Sequence, residues 1–144
     1  RSPSSKGTDM NQQAPHETLD PPDWKPARGY ANGIAASGRT LYLGGTIGWN
    51  GQQEFESDDF IDQTRQCLRN IVDILAVGGA GPEHLVRLTW YITDRDEYLA
   101  RLREMGAVYR EVIGSHYPAM AMVQVMALME ARAKVEIEAT AVLP

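Results

Sequence analysis

The chain has a single cysteine, no long apolar run and no cluster of basic residues. One cysteine, Cys67, excludes an intramolecular disulfide and suits a reducing, cytoplasmic setting. No apolar stretch approaches membrane-spanning length, and the N-terminus lacks the apolar segment of a secretion signal, so neither a membrane partner nor export is expected. The formal charge is −5, with 14 Lys and Arg scattered among 19 acids. Such a balance repels a phosphate backbone, and without a local basic patch no nucleic-acid partner is expected. The histidines His16, His84 and His116 stand apart without metal-ligand spacing, so no metal and no other cofactor is implied. Ser115 and His116 are adjacent, which does not bring a base to a nucleophile's hydroxyl. Gly78-Gly79-Ala80-Gly81-Pro82 has no lysine and no helix start after it, so it stops a helix and makes no phosphate loop.

What is present fits one globular domain. The 144 residues, 43% of them hydrophobic, are enough to bury a core. Residues 1–27 read as a tail. Arg1 to Asp9 is rich in Ser, Gly and Lys ahead of Met10, as in a foreign leader before a natural start. Asn11 to Pro26 carries four prolines, which exclude a stable helix or an interior strand. The domain is expected over residues 28–144. Gly33 to Ala36 and Thr40 to Thr46 read as two hairpin strands, and Trp49 to Glu56 as a turn with a short third strand. Phe60, Ile61, Thr64, Cys67, Leu68, Ile71 and Leu75 recur at helical spacing, with Ser57 as the expected N-cap. His84 to Thr93 alternates as a strand, with Val86, Leu88, Trp90 and Ile92 on one face and Leu85, Arg87, Thr89 and Tyr91 on the other. A second helix follows Asp94 or Asp96 and carries Tyr98, Leu99, Leu102, Met105, Val108 and Tyr109 on its buried stripe. Strands over 119–126 and 133–142 complete the chain. This order predicts an α+β fold, a mixed β-sheet with two helices on one face. The other face would then expose Tyr42, Tyr91, Leu85, Met120, Met122 and Met126, an apolar patch that calls for self-association.

Several segments together resemble the RidA/YjgF family, also labelled endoribonuclease L-PSP. They are Gly29-Tyr30, Gly44-Gly45-Thr46-Ile47, Thr93-Asp94, Tyr109, Tyr117-Pro118-Ala119 and Val135-Glu136-Ile137-Glu138-Ala139, spread over residues 28–143. The resemblance implies a chorismate mutase-like fold and a homotrimer whose sheets close into a barrel, with a small-molecule cleft at each subunit interface. It also implies hydrolytic deamination of enamines or imines without a metal. In the family an arginine holds the substrate carboxylate, a tyrosine or backbone contact orients the imine, and a glutamate positions water. Residue by residue, the tyrosine falls on Tyr30 and the glutamate on Glu136. The arginine position is Met120, a common serine position is Gly44, and a helix asparagine position is Gly106.

Met120 has neither charge nor a bidentate fork, and a lost charge-assisted contact of that kind is worth about 1.5–3 kcal/mol. Two readings of Met120 and Met122 stand: interface filling, or a remodelled, adaptable apolar pocket. Glu136 is either the catalytic carboxylate or a barrel-lining charge, and Glu138 reads as the latter. Tyr30 binds substrate or packs at the strand entrance. Arg87 is a candidate replacement cation, although basic residues are common there in the family. The activity implied is on an enamine, imine or related unsaturated amino compound other than the simple 2-iminoacids; a branch of the family takes larger substrates such as 2-aminomuconate. The rival is a non-catalytic trimer that binds metabolites or protects proteins. An endoribonuclease or translation inhibitor fits the acidic charge poorly.

Overall fold

The structure is a computed structural model that describes residues 15–144, so the leader expected over residues 1–9 lies outside the described part. In chain order the elements are β1 (Glu17–Thr18), β2 (Ile34–Ala35), β3 (Arg39–Tyr42), β4 (Thr46–Ile47), α1 (Phe60–Val77), β5 (Leu85–Ile92), α2 (Arg95–Ala100), α3 (Leu102–Val112), β6 (Ala119–Gln124) and β7 (Val135–Leu143). The main sheet runs β3-β7-β5-β6, with β4 also paired to β7. Strands β5 and β6 are parallel and the other pairs antiparallel, so the sheet is mixed as expected.

Helices α1 and α3 pack on one face of this sheet and on each other. Leu68, Ile71 and Leu75 of α1 meet Met105 and Val108 of α3 over Leu88, Trp90 and Ile92 of β5 and Val135, Ile137 and Ala139 of β7. Leu68, Ile71 and Leu75 are fully excluded from solvent. Each such side chain contributes about 1.5–3 kcal/mol of burial free energy. Buried Gln63 fastens the start of α1 to the chain entering β7. Its amide donates to the Ser57 and Arg132 carbonyls and its Oε1 accepts from Lys134 N. Among the described residues no helix is long and apolar enough to cross a membrane.

Local departures from the expected elements have identifiable causes. The hairpin of Gly33–Ala36 with Thr40–Thr46 does not form: β2 pairs with β1 and β3 pairs with β7. The segment from His16 onward lies on the domain surface, held by His16 Nε2 at 2.8 Å from the Val142 carbonyl oxygen and by Leu19 N donating to the Gly33 carbonyl. There is no strand over Trp49–Glu56. Asn50 Oδ1 accepts from Gln52 N and Glu54 N, curling the chain into a turn that puts Gln53 at φ 61°. Asp59 caps α1 instead of Ser57, accepting from Ile61 N and Asp62 N. Ser57 sits two residues before the cap, its hydroxyl accepting from Asp59 N and donating to Asp62. The expected second helix is broken at Arg101 into α2 and α3, with Asp94 capping α2.

Two corrections change which residues share a face. A β-bulge between Leu85 and Arg87 absorbs Val86 and turns Leu85 into the core, where it is completely buried. In β6, Met120 pairs with Leu88 and Met122 with Trp90. Laterally paired residues share a face, so both methionines lie on the helix side of the sheet and not on its open side. Met126 follows the strand and is fully exposed. The open face therefore carries Tyr42, Thr140 and Arg87; Glu138, Thr89 and Ala121; and Glu136, Tyr91 and Val123, in successive rows.

Candidate functional site

The candidate residues fall into two separate clefts. The first opens beside β6, holds about 590 Å³, and is walled by Met120 and Met122 of β6, Trp90 of β5, Tyr98 of α2 and Met105 of α3. Tyr30 reaches this cleft because the chain before β2 docks on the start of β6. Ala31 N donates to the Pro118 carbonyl at 3.0 Å, in a parallel bridge with Ala119. Tyr30 keeps 44% of its surface exposed. Behind it, Tyr109 and Tyr117 stack with centroids 5.1 Å apart, and Tyr109 donates to the His116 carbonyl at 2.6 Å. Burial pushes the Tyr98 and Tyr109 phenols up, so both stay protonated at neutral pH. Trp90 Nε1 is the one buried side-chain polar atom without a partner among the described residues.

The second cleft lies along β4, holds about 550 Å³, and contains Glu136 with Gly45, Thr46, Asn70, Asp73 and Glu130. Val135, Ile137 and Ala139 are buried, so the strand alternation turns Glu136 and Glu138 away from the helices, as the sequence indicated. Glu136 and Glu138 then differ. The Glu138 carboxylate accepts from the Tyr91 hydroxyl at 2.8 Å. The Glu136 carboxylate lies over Gly45, where a Cβ would have to push the carboxylate tip aside. Asn70 fixes the cleft wall, its amide donating to the Ile47 and Trp49 carbonyls at 3.0 and 2.7 Å. Cys67 is fully buried under β4, with Sγ 3.0 Å from the Thr46 carbonyl oxygen, and burial pushes its thiol far up. It is a core thiol and no nucleophile.

Tyr30, Met120 and Met122 are thus brought together, while Glu136 stands apart from them within one chain. Arg87 joins neither cleft. It is exposed on the open sheet face, opposite the side that carries Met120. Sequence reasoning missed Arg28, Arg110, Tyr98 and Trp90 as cleft residues. For Arg110 a signal existed: it follows Gly106 by four positions, one helical turn, at the place where the family resemblance put an asparagine.

A mixed sheet backed by two packed helices carries polar and aromatic groups in two edge clefts. The chain belongs to the endoribonuclease L-PSP family, the RidA/YjgF proteins, whose pattern it matches over residues 21–143. It is 34% identical over 118 residues to a RutC family protein of Pyrococcus horikoshii, covering 81% of this chain and 89% of that one. Human 2-iminobutanoate/2-iminopropanoate deaminase is 29% identical over 105 residues, 72% of this chain and 73% of the human protein. Among solved structures, the Rid-family protein YyfB of Yersinia pestis, of unknown function, superimposes with a TM-score of 0.80 at 30% identity, covering 89% of this chain and 98% of that one.

Proposed function

We propose that the protein is a homotrimeric hydrolase of C=N bonds, each site formed where the β6 cleft of one protomer meets the β4 cleft of the next. The observation that carries this reading is the division of the site. Tyr30 and Met120 line one cleft and Glu136 another, so a single chain holds two incomplete halves. The uncovered sheet face, with Tyr42 81% and Val123 47% exposed, offers the surface on which copies would meet. Family membership and the named activity of the human relative support the chemistry.

In this reading Tyr30 orients the imine at the mouth of the β6 cleft and the Glu136 carboxylate holds the attacking water. Water oxygen bonds to the imine carbon while Glu136 takes its proton. That proton passes to nitrogen, and the carbinolamine collapses to a carbonyl compound and ammonia. One water is consumed and one ammonia leaves, with no change of oxidation state. Positioning and proton transfer carry the reaction. The finer assignment is a substrate other than the short 2-iminoacids, because Met120 has no donor for a carboxylate close to the reacting carbon.

That same residue favours a second reading, a trimer that binds a metabolite without turning it over. Turnover of freshly generated 2-iminobutanoate separates them. The wild type is expected to be nearly inert and Met120→Arg to gain activity, which would mark an intact catalytic scaffold with a different native substrate. If both are inert while the trimer is intact, the reading as a binding protein gains.

A further inference from the structure

We propose that Arg110 is the anion anchor of the β6 cleft, and that the cleft takes a carboxylate carried on an apolar body of aromatic-ring size. The inference rests on the reading of this cleft as the ligand-holding half of the site, and it specifies the ligand.

The first observation is the position of the guanidinium. A Cβ built at Gly106 would lie 3.3 Å from Arg110 Nη1 and 3.9 Å from Cζ and Nη2. Arg110 therefore folds back one helical turn over a bare position and lines the cleft with Gly106. A Cβ at Gly106 would push on the flexible tip of Arg110 by only a few tenths of an ångström, so the bare position gives the guanidinium room to lie over the helix.

The second observation is that this guanidinium is unclaimed. Arg65 and Arg69 both pair with Glu111, the next residue along α3, on the flank facing α1. Arg101 is held by Asp59, Glu97 and Glu104. Among the described residues Arg110 has no hydrogen bond or ion pair, and its five N–H donors form a fork that matches a carboxylate.

The third observation is how charge is sorted between the clefts. No acid lines the β6 cleft, whose charged residues are Arg110 and Arg28, whereas Asp73, Glu130 and Glu136 line the β4 cleft without a cation. In a chain of formal charge −5, an acid-free cleft with two arginines runs against the average. Besides Arg110 and Tyr30 the wall carries Met105, Met120, Met122, Trp90 and Tyr98. Thioethers and aromatic rings favour a flat apolar body.

The test is calorimetric titration of the full chain with 3-phenylpropionate, its amide 3-phenylpropanamide, and propionate. The expected result is that the aryl acid binds at least about tenfold tighter than its amide or propionate, 1.4 kcal/mol on the affinity scale. Arg110→Gln should abolish the preference for acid over amide, while Arg28→Gln retains most of it. Gly106→Asn, which keeps the charge but displaces the guanidinium, should weaken the acid in the same way; it serves if Arg110→Gln does not fold. Equal binding of acid and amide, no binding of either, a preference surviving in both Arg110→Gln and Gly106→Asn, or a preference lost in Arg28→Gln alone would each overturn the assignment. Turnover of the imine generated from phenylalanine distinguishes this proposal from the hydrolase reading. Acid preference without turnover keeps the anchor and removes the hydrolase. Turnover whose KM is unmoved by Arg110→Gln keeps the hydrolase and removes the anchor.

Discussion

Glu136 and Glu138 stand two residues apart on one strand, point the same way, and have different surroundings. Glu138 is engaged by the Tyr91 hydroxyl, whereas Glu136 sits against Gly45 in a cleft with room beside it for water and substrate. Replacing Glu136 by Gln preserves the side chain's shape and removes the base. Turnover of a productive imine should fall by about 10²-fold or more, the usual range for a lost general base, with the thermal midpoint and oligomeric state unchanged. Glu138→Gln should fall by far less. Ammonia release under single-substrate conditions measures both, and a fully active Glu136→Gln protein would end this assignment. Met120 shows the opposite limit. Its charge-free side chain was evident from the sequence, but its direction was not. Ala119, Met120, Ala121, Met122 and Val123 are apolar on both sides of the strand, so alternation cannot choose a face for them. Only the parallel register with Leu88 and Trp90 does.

At the scale of elements, the long regular segments were legible and the pairing partners were not. The α1 repeat and the β7 alternation each contain their own information, since burial of Leu68, Ile71 and Leu75, or of Val135, Ile137 and Ala139, follows from spacing alone. The partner of β2 depends on Glu17–Thr18, in a segment whose composition suggests only a tail. The bulge at Val86 inverts the face of Leu85 without disturbing the apparent alternation from Leu88 onward. The break at Arg101 leaves Leu99 and Leu102, which the spacing put on the buried stripe, 53% and 50% exposed, while Met105, Val108 and Tyr109 beyond it stay buried. At the break the Arg101 guanidinium is shared by Asp59, Glu97 and Glu104. That pairing also joins the caps of two helices. Asp59 is the N-cap of α1, and its hydrogen bond from Arg101 holds its carboxyl below the ordinary value of 3.8. The sign follows directly. A carboxyl whose pKa is lower in the folded state contributes its full stability above the unfolded value, and loses it as pH falls through the folded value. Asp59→Ala should cost about 0.5–2 kcal/mol at neutral pH through the cap. The loss relative to wild type should shrink as the solution is acidified below about pH 4, near the ordinary carboxylate range. Urea denaturation at neutral and acidic pH reads both effects, and an equal deficit at the two pH values would contradict the account.

At the scale of the whole molecule, the open sheet face and the two separate clefts both support the proposed trimer. Sedimentation at micromolar concentration should give a trimer, and a stable monomer would remove the proposed site together with the assembly. The proposed sharing of the site between protomers has a genetic consequence. A chain carrying Glu136→Gln still offers a sound β6 cleft, and a chain disabled at Tyr30 still offers a sound Glu136. In the proposed trimer each homotrimer would be inactive, yet when the two are unfolded together and refolded at equal ratio, cyclic symmetry would place a sound half beside a sound half at roughly one site in four. Two inactive alleles expressed in one cell would therefore complement each other, the signature of an active centre that belongs to no single polypeptide.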